Sequence, residues 1–295
     1  MNSEIRPILV ALLAFLIAGA VAFYLTRDEV VPEPAPVIET PAPSVVEVAP
    51  EYEVIGASVE GREIRSYTYG NGDTHLLFVG GIHGGYEWNS VLLAYELLDY
   101  LEENPTVIPP NVKVTVIPSA NPDGLFKVIG VEGRFALADV PTETEAGAGR
   151  FNANGVDLNR NFDCKWKPES TWRGNIVSAG THAFSEPEAV AIRDFVLTHT
   201  PTTVVFFHSQ SNAVYASECR GGILPETLTV MNTYARATGY PAVDTFDAYE
   251  ITGDAEGWLA SLNIPAVTVE LATHETIEWE KNLAGVKALF TQYGK

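Results

Sequence analysis

Four ionisable side chains stand at or just beyond the ends of apolar runs in this sequence. His83 follows "HLLFVGGI", His208 ends "TTVVFFH" and Glu270 ends "IPAVTVE", while Glu87 lies four residues after His83. Two histidines and one carboxylate make a three-ligand zinc site with an open position for water. The residue types therefore predict one zinc ion, held by His83, Glu87 and His208. Glu270 is then the separate carboxylate that takes a proton from the activated water.

These side chains can meet only if the runs that carry them lie side by side in one sheet. Continuous apolar runs alternate with helix-like stretches, which is typical of a sheet buried between helical layers. We therefore predict an α/β fold with three α/β/α layers and a mixed central sheet. In such sheets ligands bind outside the carboxyl ends of the strands, and the predicted ligands would converge there. The strands are predicted at residues 74–79, 112–117, 202–207 and 264–269, and the helices at 87–101, 186–197, 225–238 and 277–292.

The helix at 186–197 carries a signal for its start. Ser185 and Glu188 have the spacing of a capping box, in which the serine caps the helix and the glutamate reaches back. Pro187 falls in the first turn, where its missing N–H costs little. We therefore expect Ser185 to be the cap.

The N-terminal part of the chain differs in composition from the rest. Residues 8–25 are an unbroken apolar run, which as a helix would span roughly 27 Å, close to a bilayer core. We interpret residues 1–27 as a membrane anchor. A cleaved signal peptide is the alternative, because Ala20-Val21-Ala22 fits a cleavage site. Residues 28–51, rich in Pro and Glu, predict an extended linker, and residues 52–295 a folded domain that either interpretation places outside the cytoplasm.

The charge of the chain argues against one class of partner. Acidic side chains outnumber basic ones 38 to 18, giving a net charge of −20. Nucleic acid is bound by basic surfaces, so we do not expect it as a partner. The acidic balance mildly favours cationic substrates, and solubility is the simpler explanation of the charge.

Six segments of the domain resemble those of a known family, the zinc carboxypeptidases of the carboxypeptidase A type (M14 metallopeptidases). "NGVDLNRNF" at 154–162 is the most specific of them. The others are "IGASVEGREI" at 55–64, "IPSANPDG" at 117–124, "FSEPEA" at 184–189, "FHSQS" at 207–211 and "VTVEL" at 267–271. Their order along the chain is that of the family. The resemblance implies a zinc metallocarboxypeptidase that hydrolyses the C-terminal peptide bond of peptides.

The resemblance supports the same zinc site and makes one departure visible. His83, Glu87 and His208 align with the family's zinc ligands, and Glu270 with its catalytic glutamate. The family usually spaces its first two ligands as His-x-x-Glu, whereas this chain has one residue more. We expect the loop to absorb this residue, because its two glycines permit unusual turns. Trp88 also matches the Glu-Trp pair that is frequent in the family.

The resemblance also implies roles in substrate binding. Asn159 and Arg160 align with the pair that holds the terminal carboxylate, which a guanidinium can grip with two parallel hydrogen bonds. Arg150 resembles the arginine that stabilises the oxyanion, with Arg134 as its rival. Tyr249 lies near the position of the family's mobile tyrosine, although an ordinary loop aromatic is the alternative.

The side-chain preference is predicted from the segment "EITGDAEGWLAS". In the family this stretch forms the floor of the specificity pocket. Asp254 and Glu256 would then face a cationic side chain, such as lysine, arginine or diaminopimelate. A solvated acidic loop is the competing interpretation.

Cys164 and Cys219 are the only two cysteines of the chain. Two thiols cannot complete a zinc tetrad, and an extracytoplasmic domain favours a disulfide. We predict that they form a bond at the rim of the cleft.

Two other functions compete with the carboxypeptidase, which acts on a peptide with a free C-terminal carboxylate. The first is a zinc-dependent deacylase or amidase acting on N-acyl amino acids or cell-wall peptides. The second is a non-catalytic peptide-binding surface protein.

Overall fold

A computed structural model describes the backbone of residues 5–26, 51–143 and 147–295, and the side chains of residues 15–26, 52–143 and 147–295. The chain divides into two units, Met1–Glu47 and Val48–Lys295. In the first unit, helix α1 spans Ile5–Leu25. Within the described residues no helix is both long and apolar enough to cross a membrane, so the membrane anchor stays a prediction. The predicted linker lies outside the described residues, apart from its last residue.

An eight-stranded mixed sheet forms the centre of the second unit, in the order β1-β2-β4-β3-β7-β12-β8-β11. Two small hairpins, β5–β6 and β9–β10, stand apart from it. The strands are β1 (Glu51–Ala57), β2 (Glu63–Tyr69), β3 (Thr74–Val79), β4 (Val112–Ile117), β5 (Glu169–Trp172), β6 (Asn175–Ser178), β7 (Thr203–Ser209), β8 (Ala213–Ala216), β9 (Glu218–Cys219), β10 (Gly222–Ile223), β11 (Ala242–Val243) and β12 (Ala266–Leu271).

Helices cover both faces of this sheet. They are α2 (Trp88–Glu103), α3 (Pro122–Ile129), α4 (Pro187–His199), α5 (Pro225–Thr238), α6 (Ala255–Ser261) and α7 (Trp279–Tyr293). Successive side chains of a strand point to opposite faces. Leu76 and Phe78 of β3 therefore pack with α2, α5 and α7, and Leu77 and Val79 with α4 and α6. This confirms the predicted three-layer fold and its mixed central sheet.

The strand order explains why the candidate residues meet. β7 lies between β3 and β12 and runs parallel to both. The carboxyl ends of the three strands therefore share one edge of the sheet. The register places Glu270 directly opposite His208.

The predicted elements are present, with ends within two residues of the predicted ones. The capping box, however, is wrong. α4 begins at Pro187, and its cap position is Glu186. Ser185 instead accepts a hydrogen bond from Asn161 Nδ2, and Glu188 accepts one from the backbone N–H of Val59. These two side chains serve contacts between distant segments, which a local motif does not reveal.

Candidate metal centre and substrate cavity

The structure brings the three predicted zinc ligands together. His83, Glu87 and His208 each offer one donor atom, and these atoms all lie within 4.8 Å of one another. Each of the three residues is only 3% exposed. His208 is in β7, while Glu87 ends a 3-10 helix, Gly84–Glu87, that follows the loop after β3. The cluster thus sits at the shared carboxyl edge of the parallel strands.

The 3-10 helix accommodates the extra residue between the two ligands. Gly84 has φ +47°, and a Cβ on it would lie 2.6 Å from the carbonyl oxygen of Gly149. A Cβ on Gly85 would lie 2.5 Å from Val128. Only glycines fit this turn without displacement of the neighbouring chain. The longer spacing therefore does not remove Glu87 from the cluster.

Asp157 supports the centre from behind. It is fully buried, and its Oδ1 lies 3.5 Å from His83 Nδ1. Its Oδ2 accepts hydrogen bonds from Nε and Nη2 of Arg150, at 3.1 and 2.9 Å. A carboxylate beside a metal-binding histidine fixes the orientation of the ring. Asp157 begins the "DLNRN" segment, and its place beside His83 was not predicted from the sequence.

His208 lies between two carboxylates. Its Nδ1 is 3.0 Å from Glu87 Oε2, and its Nε2 is 3.2 Å from Glu256 Oε1. Burial alone would lower the pKa of His208, but the charges of Glu87 and Glu256 raise this pKa well above its ordinary value. Burial and the nearby Arg150 lower the pKa of His83. The carboxylates around His208 thus favour a positive charge in this buried site. Such a site, with imidazole and carboxylate donors, suits a divalent cation such as zinc.

Glu270 faces this centre from β12. Its Oε2 accepts a hydrogen bond from the backbone N–H of Ser211 at 3.1 Å. Burial and the charge of Glu87 raise the pKa of Glu270 to about 7, although His208 opposes this shift. A carboxyl group with a pKa near neutral pH can both accept and return a proton.

Asn159 and Arg160 line the same cavity, of about 480 Å³. Asn159 Oδ1 accepts a hydrogen bond from the backbone N–H of Ala255, which leaves its amide group for other partners. Arg160 is 2% exposed, donates from Nη1 to the Asn159 carbonyl, and has a buried Nε without a hydrogen-bond partner among the described residues. The guanidinium of Arg160 can therefore bind a substrate carboxylate.

The remaining predicted contacts also line this cavity. Tyr249 packs against Phe246, which also lines the cavity. Asp254 caps α6 through the backbone N–H of Gly257, and burial together with the charge of Glu256 raises the pKa of Asp254 to about 6. Glu256 is 3% exposed and accepts a hydrogen bond from Thr268 Oγ1.

The structure also distinguishes Arg150 from its rival. Arg150 lines the same cavity as the three predicted zinc ligands, and its Nη1 lies 3.7 Å from Glu87 Oε1. Arg134 pairs with Asp99 and lines a different cavity, beside α2.

Cys164 and Cys219 form a disulfide, with 6.1 Å between their Cα atoms, and Cys164 lines the first cavity.

Three aromatic residues near the cluster were not singled out in the sequence. Tyr86, one of the three residues between His83 and Glu87, contacts the rings of Trp172 and His274 at centroid distances of 5.2 and 4.6 Å. His274 Nδ1 lies 2.6 Å from Ser209 Oγ. The lengthened spacing was the one available signal, since it showed that an additional side chain had to fit beside Glu87.

This fold and site define a class, the metallopeptidases that bind one metal ion at the carboxyl edge of an α/β/α sheet. The family model described as zinc carboxypeptidase matches residues 40–286. The chain therefore belongs to the zinc carboxypeptidase family, M14.

Two curated relatives and one solved structure show how far the similarity reaches. Gamma-D-glutamyl-L-diamino acid endopeptidase 1 of Lysinibacillus sphaericus is 27% identical over 240 residues, 74% of this chain and 60% of that protein. Murein peptide amidase A of Escherichia coli K12 is 35% identical over 131 residues, 41% of this chain and 50% of that protein. The matches thus span between half and three fifths of these relatives.

The solved structure supports the fold alone. Bovine thrombin-activatable fibrinolysis inhibitor, in complex with tick carboxypeptidase inhibitor, aligns with a TM-score of 0.67 at 18% identity. The alignment covers 83% of this chain and 90% of that one.

Proposed function

We propose that residues 52–295 are a zinc-dependent peptidase that hydrolyses the C-terminal peptide bond of peptides. One observation carries this proposal: the His83–Glu87–His208 cluster, Glu270 and Arg160 line a single cavity. The guanidinium of Arg160 can hold the terminal carboxylate of a peptide. Because it lies in the same cavity as the predicted zinc ligands and Glu270, it places the last peptide bond at the catalytic groups. Zinc bound at the cluster would supply a Lewis acid that polarises the carbonyl and lowers the pKa of water.

The chain's own residues account for the rest of the chemistry. Asn159 and Arg160 hold the terminal carboxylate and so fix the position of the scissile bond. Glu270 accepts a proton from the attacking water and returns it to the leaving amine. Arg150, fixed by Asp157, directs a positive charge toward the oxyanion that develops on the carbonyl oxygen.

We propose a cell-wall peptide that ends in a diamino acid as the more specific substrate. The two curated relatives are named as a gamma-D-glutamyl-L-diamino acid endopeptidase and a murein peptide amidase. Asp254 and Glu256 line the cavity and supply negative charge to a basic side chain. An amidase that cleaves such a peptide would carry out a variant of the same reaction. It also needs the metal, the base Glu270, and Asn159 and Arg160 to hold the substrate carboxylate. The disulfide favours action outside the cytoplasm.

The test is a hydrolysis panel with the zinc-loaded domain. Matched peptides ending in Lys, Phe, Glu or diaminopimelate are incubated with and without a chelator, and the products are identified by mass spectrometry. The proposal expects chelator-sensitive loss of the last residue, fastest for diaminopimelate and Lys. Equal or faster release of Phe would contradict the proposal that Asp254 and Glu256 bind a basic side chain. Release of acyl groups alone would favour a deacylase, and binding without products a non-catalytic binder.

A further inference from the structure

The hairpin β5–β6 holds an arginine in an unusual conformation. The register pairs Trp172 with Asn175, so Arg173 and Gly174 form a two-residue turn. Their φ angles are +49° and +82°. Such turns favour Asn-Gly, because a larger side chain is strained at positive φ. Strained residues of this kind cluster at functional sites, which directs attention to the Arg173 side chain.

The hairpin reaches from Arg160, near its start, to Tyr86 in the loop of the predicted zinc ligands, at its tip. Near its start, Ser170 Oγ lies 3.0 Å from Thr252 Oγ1, and Arg160 Nη2 donates to the Thr171 carbonyl at 3.5 Å. At its tip, Arg173 Nη1 donates to the Tyr86 hydroxyl at 3.3 Å. Two residues of extended chain cover about 7 Å. Arg160 and Arg173 therefore belong to different walls, one at the terminal carboxylate and one beside the metal-ligand loop.

Arg173 differs from Arg150, another arginine of the cavity, in its partners. Arg150 is neutralised by Asp157, whereas no carboxylate in residues 51–143 and 147–295 makes an ion pair with Arg173. Arg173 is exposed and lines the cavity next to Trp172, so its guanidinium is accessible to a substrate.

We infer that Arg173 is a specificity-determining residue that binds a carboxylate on the substrate residue before the scissile bond. This inference rests on the proposed function, which places the last residue at Arg160 and the scissile carbonyl at the metal cluster. The preceding residue then extends toward Tyr86, where the guanidinium of Arg173 lies. Trp172 and Tyr86, 5.2 Å apart, supply the apolar walls of this subsite. The peptides that fit both ends of the cavity have an acidic residue followed by a C-terminal basic one.

Affinity measurements separate this subsite from catalysis. The probes are acetyl-Glu-Lys and acetyl-Gln-Lys, which have nearly the same shape and differ by one charge. Their Kd values are measured by calorimetry with zinc-loaded Glu270→Gln protein, alone and combined with Arg173→Asn. Asparagine suits this turn position, so the second variant should fold at least as well, which its Tm checks. The matched control is Arg236→Asn, since Arg236 is exposed on α5 and does not line the cavity.

We expect the Glu peptide to bind about threefold to tenfold more tightly than the Gln peptide, as for an exposed charge-assisted pair. Arg173→Asn should bring the two Kd values together, and Arg236→Asn should keep them apart. Equal Kd values before the change, a preference that survives Arg173→Asn, or one lost equally with Arg236→Asn would overturn the inference. Hydrolysis of both peptides by the zinc-loaded wild type is measured in parallel. Its absence would refute the proposed function, whereas the affinity ratio decides on Arg173.

Discussion

Replacing Gly84 by alanine tests how the lengthened ligand loop is built. Gly84 lies between His83 and Glu87 with φ +47°, and the new Cβ would lie 2.6 Å from the Gly149 carbonyl oxygen and 2.8 Å from the carbonyl carbon of Gly124. Both contacts are with backbone, which cannot move aside by rotating a side chain. The loop itself must therefore shift, and Glu87 must shift with it.

The expected cost follows from two terms. A non-glycine residue in the left-handed region costs about 1–2 kcal/mol, and overpacking against fixed neighbours adds roughly 1–3 kcal/mol. We therefore expect Gly84→Ala to lower the free energy of unfolding by about 2–5 kcal/mol. Gly239→Ala is the matched control, because Gly239 has φ +77° with no atom within 4 Å of a new Cβ. It should show only the first term, about 1–2 kcal/mol.

Urea unfolding of the metal-free domain measures the two free energies, and zinc titration against a competing chelator measures affinity. Gly84→Ala should also weaken zinc binding, because the displaced Glu87 no longer meets the two histidines. Gly239→Ala should bind zinc as the wild type does. If the two variants lose equal stability and both keep the zinc affinity, the ligand loop is not constrained by Gly84 and our account of the extra residue is wrong.

Four further predictions concern the centre and its surroundings. Glu270→Gln should lower kcat by at least about 10²–10⁴-fold while one zinc per chain remains bound; full activity would remove Glu270 from the mechanism. Without metal, the pKa of Glu270 is raised to about 7, so its protonated form stabilises the fold below pH about 4.5 and this contribution is lost as pH rises through 7. Chemical unfolding at pH 5 and 8 should therefore show metal-free Glu270→Gln gaining about 1–3 kcal/mol over wild type at the higher pH; a pH-independent difference would contradict the raised pKa. Asp157→Asn should weaken zinc binding by about 10–100-fold in chelator competition, whereas the exposed Asp163→Asn should not. Cys164 and Cys219 of secreted protein should resist alkylation until reduced, and two reactive thiols would argue against the bond.

The sequence alone determined the elements that carry the site and the chemistry of their ends. Apolar runs of four to eight residues that end in His or Glu are local patterns, and local patterns set strands and their boundaries. The types of donor restricted the metal, and the order of six segments indicated the family. The strands β1 and β2 and the helices α3 and α6 were not among the predicted elements. The short strands β5, β6 and β8–β11 were missed as well, because two to four residues carry little periodicity.

Only the tertiary structure decided which groups surround each ligand. The strand order β3-β7-β12 and the pairing of Glu270 with His208 depend on contacts between segments far apart in sequence. The same holds for Asp157 behind His83 and for Glu256 against His208, both at distances that no spacing predicts. The capping box failed for this reason, since Glu188 bonds to Val59, in the distant turn between β1 and β2. A side chain's partners are chosen by packing in three dimensions, whereas the sequence records only neighbours along the chain.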